Sequence, residues 1–258
     1  MKRAKKETKF NNKKKAKEFF KIFFIIILIL CVLRISMWII NGCVNKNINK
    51  EISNLVIENE NDIDKNVEKD YKINFEEINK INNDTVAWIK VPGTQIKYFV
   101  VKGNNNYYYL NHNFEKKYNK AGWIFADYKN KFDGTDKNIV LYGHNRADGT
   151  MFGSLKNVLK TDWYNNKNNY EIIFLNENGE KQKYQVFSVY QIKTEDYYIK
   201  TEFKKGEFKE FIIILKNRSQ KDFGVEVLDS DCILTLSTCA NNYKDRIVLH
   251  AKRIESKM

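Results

Sequence analysis

Near the end of this 258-residue chain a thiol and a guanidinium stand on opposite lips of a short polar turn. Cys239 closes the β-like run Ile233-Leu-Thr-Leu-Ser-Thr-Cys239, and Arg246 opens a second, Arg246-Ile-Val-Leu-His-Ala-Lys-Arg-Ile254, with Ala240 to Asp245 between them. A thiol at a strand end is open to reaction, and a fixed cation beside it favours both its thiolate and any oxyanion formed there. The alternative is a buried cysteine next to a surface arginine. A nucleophilic cysteine also needs a proton-transfer partner, and the chain has three histidines. His144 follows the strand-like Asn138–Tyr142 within Leu141-Tyr-Gly-His-Asn145, so it too sits at a strand end, and Gly143 before it permits close backbone approach. His112 lies in an Asn-rich connection and reads as a solvated loop residue. His250 shares strand parity with Arg246 but lies four residues along, about 13 Å away at strand rise. Any one of these residues is more often structural than catalytic; the conjunction of all three types at strand ends is much rarer.

The elements that must position them are mostly short strands. Runs at Val86–Val91, Gln95–Val101, Gly122–Asp127, Asn138–Tyr142, Tyr170–Leu175, Lys183–Thr194, Asp231–Thr238 and Arg246–Ile254 carry strand character, with a turn at Pro92-Gly93. A capped helix is expected from Phe75, with Ile78 and Ile81 on one face and a stop at Asn82-Asn83-Asp84. Thr150–Lys160 is a second candidate helix, with Met151, Phe152, Leu155, Val158 and Leu159 on one side. Phe208, Phe211, Ile212 and Leu215 recur at helical spacing before the last two strands. Many short strands with few helices point to a mostly β fold, a closed or nearly closed barrel. There is no internal repeat, Gly-rich phosphate loop or paired-cysteine metal pattern.

The formal charge of +13 is unevenly spread. Residues 1–21 hold ten Lys and Arg against Glu7 and Glu18, a net +8, which leaves +5 for the remaining 237 residues and no basic stripe for nucleic acid. Ile22–Ile40 follows directly, interrupted only by Arg34; nineteen helical residues span about 28 Å, close to the hydrocarbon thickness of a bilayer. The basic flank keeps the amino terminus cytoplasmic and sends the rest of the chain outside. A cleaved signal peptide is the alternative, although no small-x-small site follows the run; Ile40-Asn41-Gly42-Cys43 matches a lipidation box only in part. Residues 41–74 are polar with sparse apolar spacing and read as an extracellular stalk. Cys232 and Cys239, on one strand, stand about 23 Å apart and cannot bridge. That leaves Cys239 unpaired as a candidate nucleophile and Cys232 as core filling.

Together, Thr235-Leu-Ser-Thr-Cys239, Arg246 and Leu141-Tyr-Gly-His-Asn145 resemble the sortases, cysteine transpeptidases of Gram-positive surfaces. Asn83-Asp-Thr-Val-Ala-Trp-Ile-Lys-Val-Pro-Gly-Thr94, Asn106-Tyr-Tyr-Tyr-Leu110 and Gly143-His-Asn-Arg-Ala-Asp-Gly-Thr-Met-Phe-Gly153 are similar to class B in particular, across about residues 75–254. The resemblance implies an eight-stranded sortase β-barrel with N-terminal helices and a helical insertion near Thr201–Ser219, before the catalytic strand. One transmembrane helix precedes it. The expected organisation is a cytoplasmic tail at 1–21, an anchor at 22–40, a stalk at 41–74 and a catalytic domain at 75–258. It further implies that Cys239 attacks a threonine carbonyl in a sorting signal of the Asn-Pro-x-Thr or Leu-Pro-x-Thr kind, forming a thioester. His144 then serves as acid and later as base, and Arg246 steadies the oxyanion or the substrate backbone. A peptidoglycan amine takes up the acyl group; the partners are surface proteins, the wall amine and the membrane, with no nucleic acid. No metal or organic cofactor is implied. Ser237, Asn106, Leu110, Thr194, Tyr198 and Ile199 match substrate-groove positions, the last two being equally consistent with ordinary packing. Where some class B members carry an acid two residues after the cysteine, this chain has Asn241, so Cys-His-Arg is the expected set. Two other readings stay open: a pilin-polymerising sortase, against which the lack of an upstream Asp-Pro-aromatic lid counts, and a non-catalytic membrane-tethered binding domain.

Overall fold

The computed structural model describes residues 2–59, 70–240 and 245–254, with residues 2–14, 16, 59, 70, 239 and 240 described by their backbone. The chain divides into two compact units, Met1–Cys43 and Val44–Met258. The first is helical, part of α1 (Lys2–Ser53), and the apolar side chains of Ile22–Ile40 stand exposed along it. That stretch of helix is long and apolar enough to cross a membrane.

The second unit begins with the last turns of α1, followed by a hairpin of β1 (Val56–Asn59) with β2 (Asp70–Ile73) and by α2 (Phe75–Ile81). Its barrel strands are β3 (Thr85–Lys90), β4 (Lys97–Val101), β5 (Phe125–Ala126), β6 (Asn138–Gly143), β7 (Glu171–Asn176), β8 (Lys181–Lys193), β9 (Ile233–Ala240) and β10 (Asp245–Ile254). Between them lie α3 (Thr161–Asn165) and α4 (Glu207–Asn217). The eight strands close in the order β10-β8-β7-β3-β4-β5-β6-β9, and the expected eight-stranded, mostly β barrel is present. Six of its pairings are antiparallel; β4–β5 and β6–β9 run parallel. Eight strands leave an interior just wide enough for side chains to fill; the main apolar cluster joins side chains inside the barrel, such as Leu236 and Leu249, to others on its outer surface, where Trp88 packs on Tyr71 and Phe99 on Phe75.

The alternation of a pleated strand explains why β8, β9 and β10 have two apolar faces. Leu234, Leu236, Ile247, Leu249 and Ala251 point into the barrel. Ile233, Val248, Phe187 and Tyr190 point outward, where α4 covers them with Phe208, Phe211, Ile212 and Leu215, the four residues whose spacing predicts that helix. The same outer face carries a buried polar row. His250 is fully enclosed; its Nδ1 lies 2.9 Å from Thr235 Oγ1 and its Nε2 2.9 Å from the Tyr190 hydroxyl. Thr235 donates its proton to Asn138 Oδ1 at 2.7 Å, so Nδ1–H of His250 must be the donor to Thr235 and Nε2 accepts from Tyr190. Tyr197 in turn donates to Tyr190, and Asn138 Nδ2 donates to the carbonyl of Lys200. The network thus ties both ends of the segment Tyr197–Ile199 to the sheet.

Other expectations shift locally. Asn74 caps α2 by accepting from Glu76 and Glu77 N–H groups, but Ile78 is buried while Ile81 at the helix end is exposed. The segment expected to be helical over Thr150–Lys160 buries the predicted Met151, Phe152, Leu155 and Val158, yet forms a bridge at Met151, a 3-10 turn over Leu155–Leu159 and then α3. Phe152 N–H bonds back to the His144 carbonyl, which diverts the chain from helical bonding. The strand expected over Gly122–Asp127 pairs only at Phe125 and Ala126 because Trp123 N–H bonds to Tyr109 instead. Cys232 is half-buried rather than core filling, just before β9. Residues read as a stalk are built into the second unit in part: Ile48, Ile52, Val56 and Tyr71 are buried in the barrel's main apolar cluster.

Two outcomes follow from this packing. Leu215→Ala should lower the urea-unfolding free energy by about 3 kcal/mol, since it empties a fully enclosed site under α4; a change below about 1 kcal/mol would show that α4 does not need that contact. Burial also pushes the His250 imidazole down to about 3. The unfolded chain therefore binds a proton near pH 6.5 that the folded chain refuses until about pH 3, and stability falls as pH drops through that window. The limiting slope is about 1.4 kcal/mol per pH unit. His250→Gln should flatten the decline measured by urea melts between about pH 6 and pH 4; an unchanged slope would place the acid sensitivity elsewhere.

Candidate active site

The register of three neighbouring strands decides where the reactive residues fall. In the parallel pair, Tyr142 lies opposite Ser237 and Gly143 opposite Thr238, so His144 is the next residue beyond β6 on the side of Cys239. In the antiparallel pair Cys239 lies directly opposite Arg246, and Ser237 opposite Val248. Reading across the outer face, the rows are Val140–Thr235–His250, Tyr142–Ser237–Val248, and then His144–Cys239–Arg246 at the strand ends. The hydroxyl of Thr238 donates to the Gly143 carbonyl at 2.6 Å, fastening β9 to β6 immediately before that last row. A Cβ on Gly143 would lie 2.8 Å from the Phe152 ring, so the glycine lets the loop after His144 pack against the strand. Asn241 of the connecting turn lies outside the described residues.

His144 is half-buried, and its Nε2 lies 2.7 Å from the Leu110 carbonyl oxygen. A carbonyl only accepts, so Nε2 carries the hydrogen, and in the neutral ring Nδ1 is the basic atom. After His144 the loop is held by Arg146, whose guanidinium bonds the Asp148 carboxylate at 2.8 Å and the Thr150 hydroxyl at 3.0 Å.

His144 and Arg246 line a groove of about 680 Å³ on this face. All six residues expected at substrate positions, Ser237, Asn106, Leu110, Thr194, Tyr198 and Ile199, line the same groove. Its floor is built: the Tyr198 and Ser237 hydroxyls bond at 2.9 Å, and both residues are buried. Asn106 donates through Nδ2 to Asp127 at 2.8 Å and accepts from Tyr128 N–H, which fixes its amide orientation. Tyr142, also in the lining, donates to the same Asp127 oxygen at 2.7 Å. Burial and then the Asp127 charge push the Tyr142 phenol well above its ordinary value, so it remains a neutral donor.

Sequence reasoning missed Tyr142 and the exposed Tyr107 among the groove residues, and Asp127, which holds Asn106 and Tyr142 from behind the lining. Asp127 is a single acid after a two-residue strand, and its partners lie 21 positions before and 15 after it. No local spacing could reveal that. His250 and His112 take no part: the first is enclosed in the polar row, the second stacks on Tyr108 with ring centroids 3.9 Å apart.

Chemically, the row sets a thiol-bearing residue between an imidazole and a guanidinium at the mouth of an apolar groove with a few fixed polar groups, an arrangement suited to acyl transfer from an extended peptide. Comparison with known proteins agrees. A family model described as the sortase domain matches residues 89–254. The sequence is 39% identical over 185 residues to sortase B of Staphylococcus aureus, which covers 70% of this chain and 75% of that protein. Among solved structures, the fold superposes on sortase B of Bacillus anthracis in complex with AAEK2 with a TM-score of 0.71 at 33% identity, over 83% of this chain and 97% of that one. A Staphylococcus aureus sortase B–substrate complex superposes with a TM-score of 0.65 at 39% identity, over 71% and 85%. A matched family model across the barrel and relatives of this identity place the chain in the sortase family, among the class B cysteine transpeptidases.

Proposed function

We propose that the chain anchors surface proteins to the cell wall, cleaving a C-terminal sorting signal of the Asn-Pro-x-Thr or Leu-Pro-x-Thr kind after threonine and transferring the acyl group to a peptidoglycan amine. The observation that carries this reading is the His144–Cys239–Arg246 row at the mouth of a groove lined by Asn106, Leu110, Thr194, Tyr198, Ile199 and Ser237. The thiolate of Cys239 attacks the threonine carbonyl carbon. The C–N bond then breaks as His144 gives a proton to the departing amine, leaving a thioester. An incoming amine attacks that thioester, His144 takes its proton, and the thiolate is restored. One amide replaces another, so no energy source is needed. Arg246 supplies positive charge where the oxyanion develops, an effect that acts on the transition state more than on bound substrate. Extended peptide fits the groove because its walls are mainly apolar, while the fixed Asn106 amide and Tyr198–Ser237 pair offer hydrogen bonds for main-chain groups. The apolar helix supports membrane tethering with the basic end cytoplasmic and the barrel outside.

The full chain in detergent, given a fluorogenic sorting peptide and an amine acceptor, should form an acyl-enzyme visible by intact mass. Cys239→Ala and His144→Ala should abolish turnover, and Arg246→Ala should lower kcat by about 100-fold with KM nearly unchanged. Cleavage surviving in Cys239→Ala would overturn the assignment of the nucleophile, and normal kcat in Arg246→Ala would remove that residue from the reaction. Tyr198→Phe, which deletes only the hydroxyl bonded to Ser237, should raise KM by about fivefold with kcat within about twofold; an unaltered KM would mean that the pair does not shape the peptide site.

A further inference from the structure

The portion of α1 in the second unit lays one face, Asn45, Ile48, Asn49 and Ile52, against the barrel. Ile48 and Ile52 account for apolar packing, but Asn45 is also fully buried, where a leucine would serve packing better. Its Nδ2 donates to the Gly122 carbonyl at 2.6 Å, and its Oδ1 accepts from Asn119 Nδ2 at 2.8 Å. Gly122 has φ +59, and a Cβ there would stand 2.6 Å from the Tyr109 carbonyl, 2.8 Å from the Leu110 carbonyl and 2.9 Å from Cδ2 of His144. The Gly122 backbone is therefore wedged against both the imidazole and the carbonyl that accepts from it. The neighbouring bonds of Trp123 N–H to Tyr109, Gly122 N–H to Asn119 and Asn119 N–H to Asn111 make residues 109–111 and 119–123 one hydrogen-bonded piece. Asn45 is the side chain that ties this piece to the N-terminal helix.

We infer that Asn45 is a positioning residue for the transpeptidation: by holding the Gly122 carbonyl it keeps the Leu110 carbonyl on His144 Nε2, and so keeps Nδ1 as the atom that exchanges protons with the thiol and the amines. The inference rests on the transpeptidase reading for its kinetic consequences, but the state of the His144 ring can be read without turnover. Asn45→Asp retains the shape and the contact with Asn119 but loses the donor to Gly122. In the full chain in detergent it should lower kcat about tenfold with KM within about twofold, and change the pH–rate profile. The imidazole titration of His144, followed by NMR and assigned with His144→Gln, should move with it. Asn45→Ala, which buries no carboxylate, serves if the aspartate variant does not fold. Ile48→Ala, on the same helix face, should lower Tm yet leave the pH profile superimposable on wild type. The inference fails if the Asn45 variants lower Tm alone, with the His144 titration and pH profile unmoved. If instead the wild-type chain forms no acyl-enzyme, the transpeptidase reading falls, while the NMR titration still decides the role of Asn45.

Discussion

The molecule depends on the registration of β9 between two partners of opposite sense. β9 bonds in parallel to β6 along one edge and in antiparallel to β10 along the other, so each of its residues has two cross-strand neighbours fixed by backbone ladders. Because side chains alternate, a slip of one residue would send every outward side chain inward. Leu234 and Leu236, both fully enclosed in the barrel, resist such a slip, since it would turn Thr235 and Ser237 into the apolar interior. The Thr238 hydroxyl on the Gly143 carbonyl adds a polar lock at the end of the ladder. The placement of the row at the rim is thus inherited from packing within the wall.

Beneath the reactive row, the outer face of the same sheet is stiffened by polar groups instead of being left apolar. The directed chain from Tyr197 through Tyr190, His250 and Thr235 to Asn138 uses each donor once and satisfies both imidazole nitrogens. A buried network that is fully satisfied specifies one geometry, because any rearrangement strands a donor or an acceptor in a poor solvent. Here the network anchors the segment that carries Tyr198 and Ile199, two of the residues lining the groove. Asp127 does the corresponding work on the opposite wall by holding Asn106 and Tyr142 with one oxygen.

Much of this was legible in the residues alone, for a physical reason. Strand runs such as Asn138–Tyr142 and Arg246–Ile254 announce themselves through local composition, and a strand end is where a reactive side chain can meet solvent and substrate together. His144, Cys239 and Arg246 each stand at such an end. What stayed hidden was whatever depends on a partner remote along the chain. Asn45 meets Gly122 across 77 positions and Asp127 gathers groups from both sides, so neither leaves a periodic trace. The apolar spacing at Ile48, Ile52 and Val56 was visible, but the surface that receives it was not, so a docked segment read as a spacer. Residues 150–160 show the same limit: their buried set was readable, whereas the bond from Phe152 to the His144 carbonyl, which prevents a regular helix, was not.

The parallel junction of β6 with β9 has a temporal consequence. The two strands are separated by roughly ninety residues, and the loop that must close between them is among the slower events available to a folding chain. A polypeptide emerging from the ribosome amino end first carries its imidazole long before its thiol arrives. The row of His144, Cys239 and Arg246 is therefore assembled only once β9 has paired with β6 and β10.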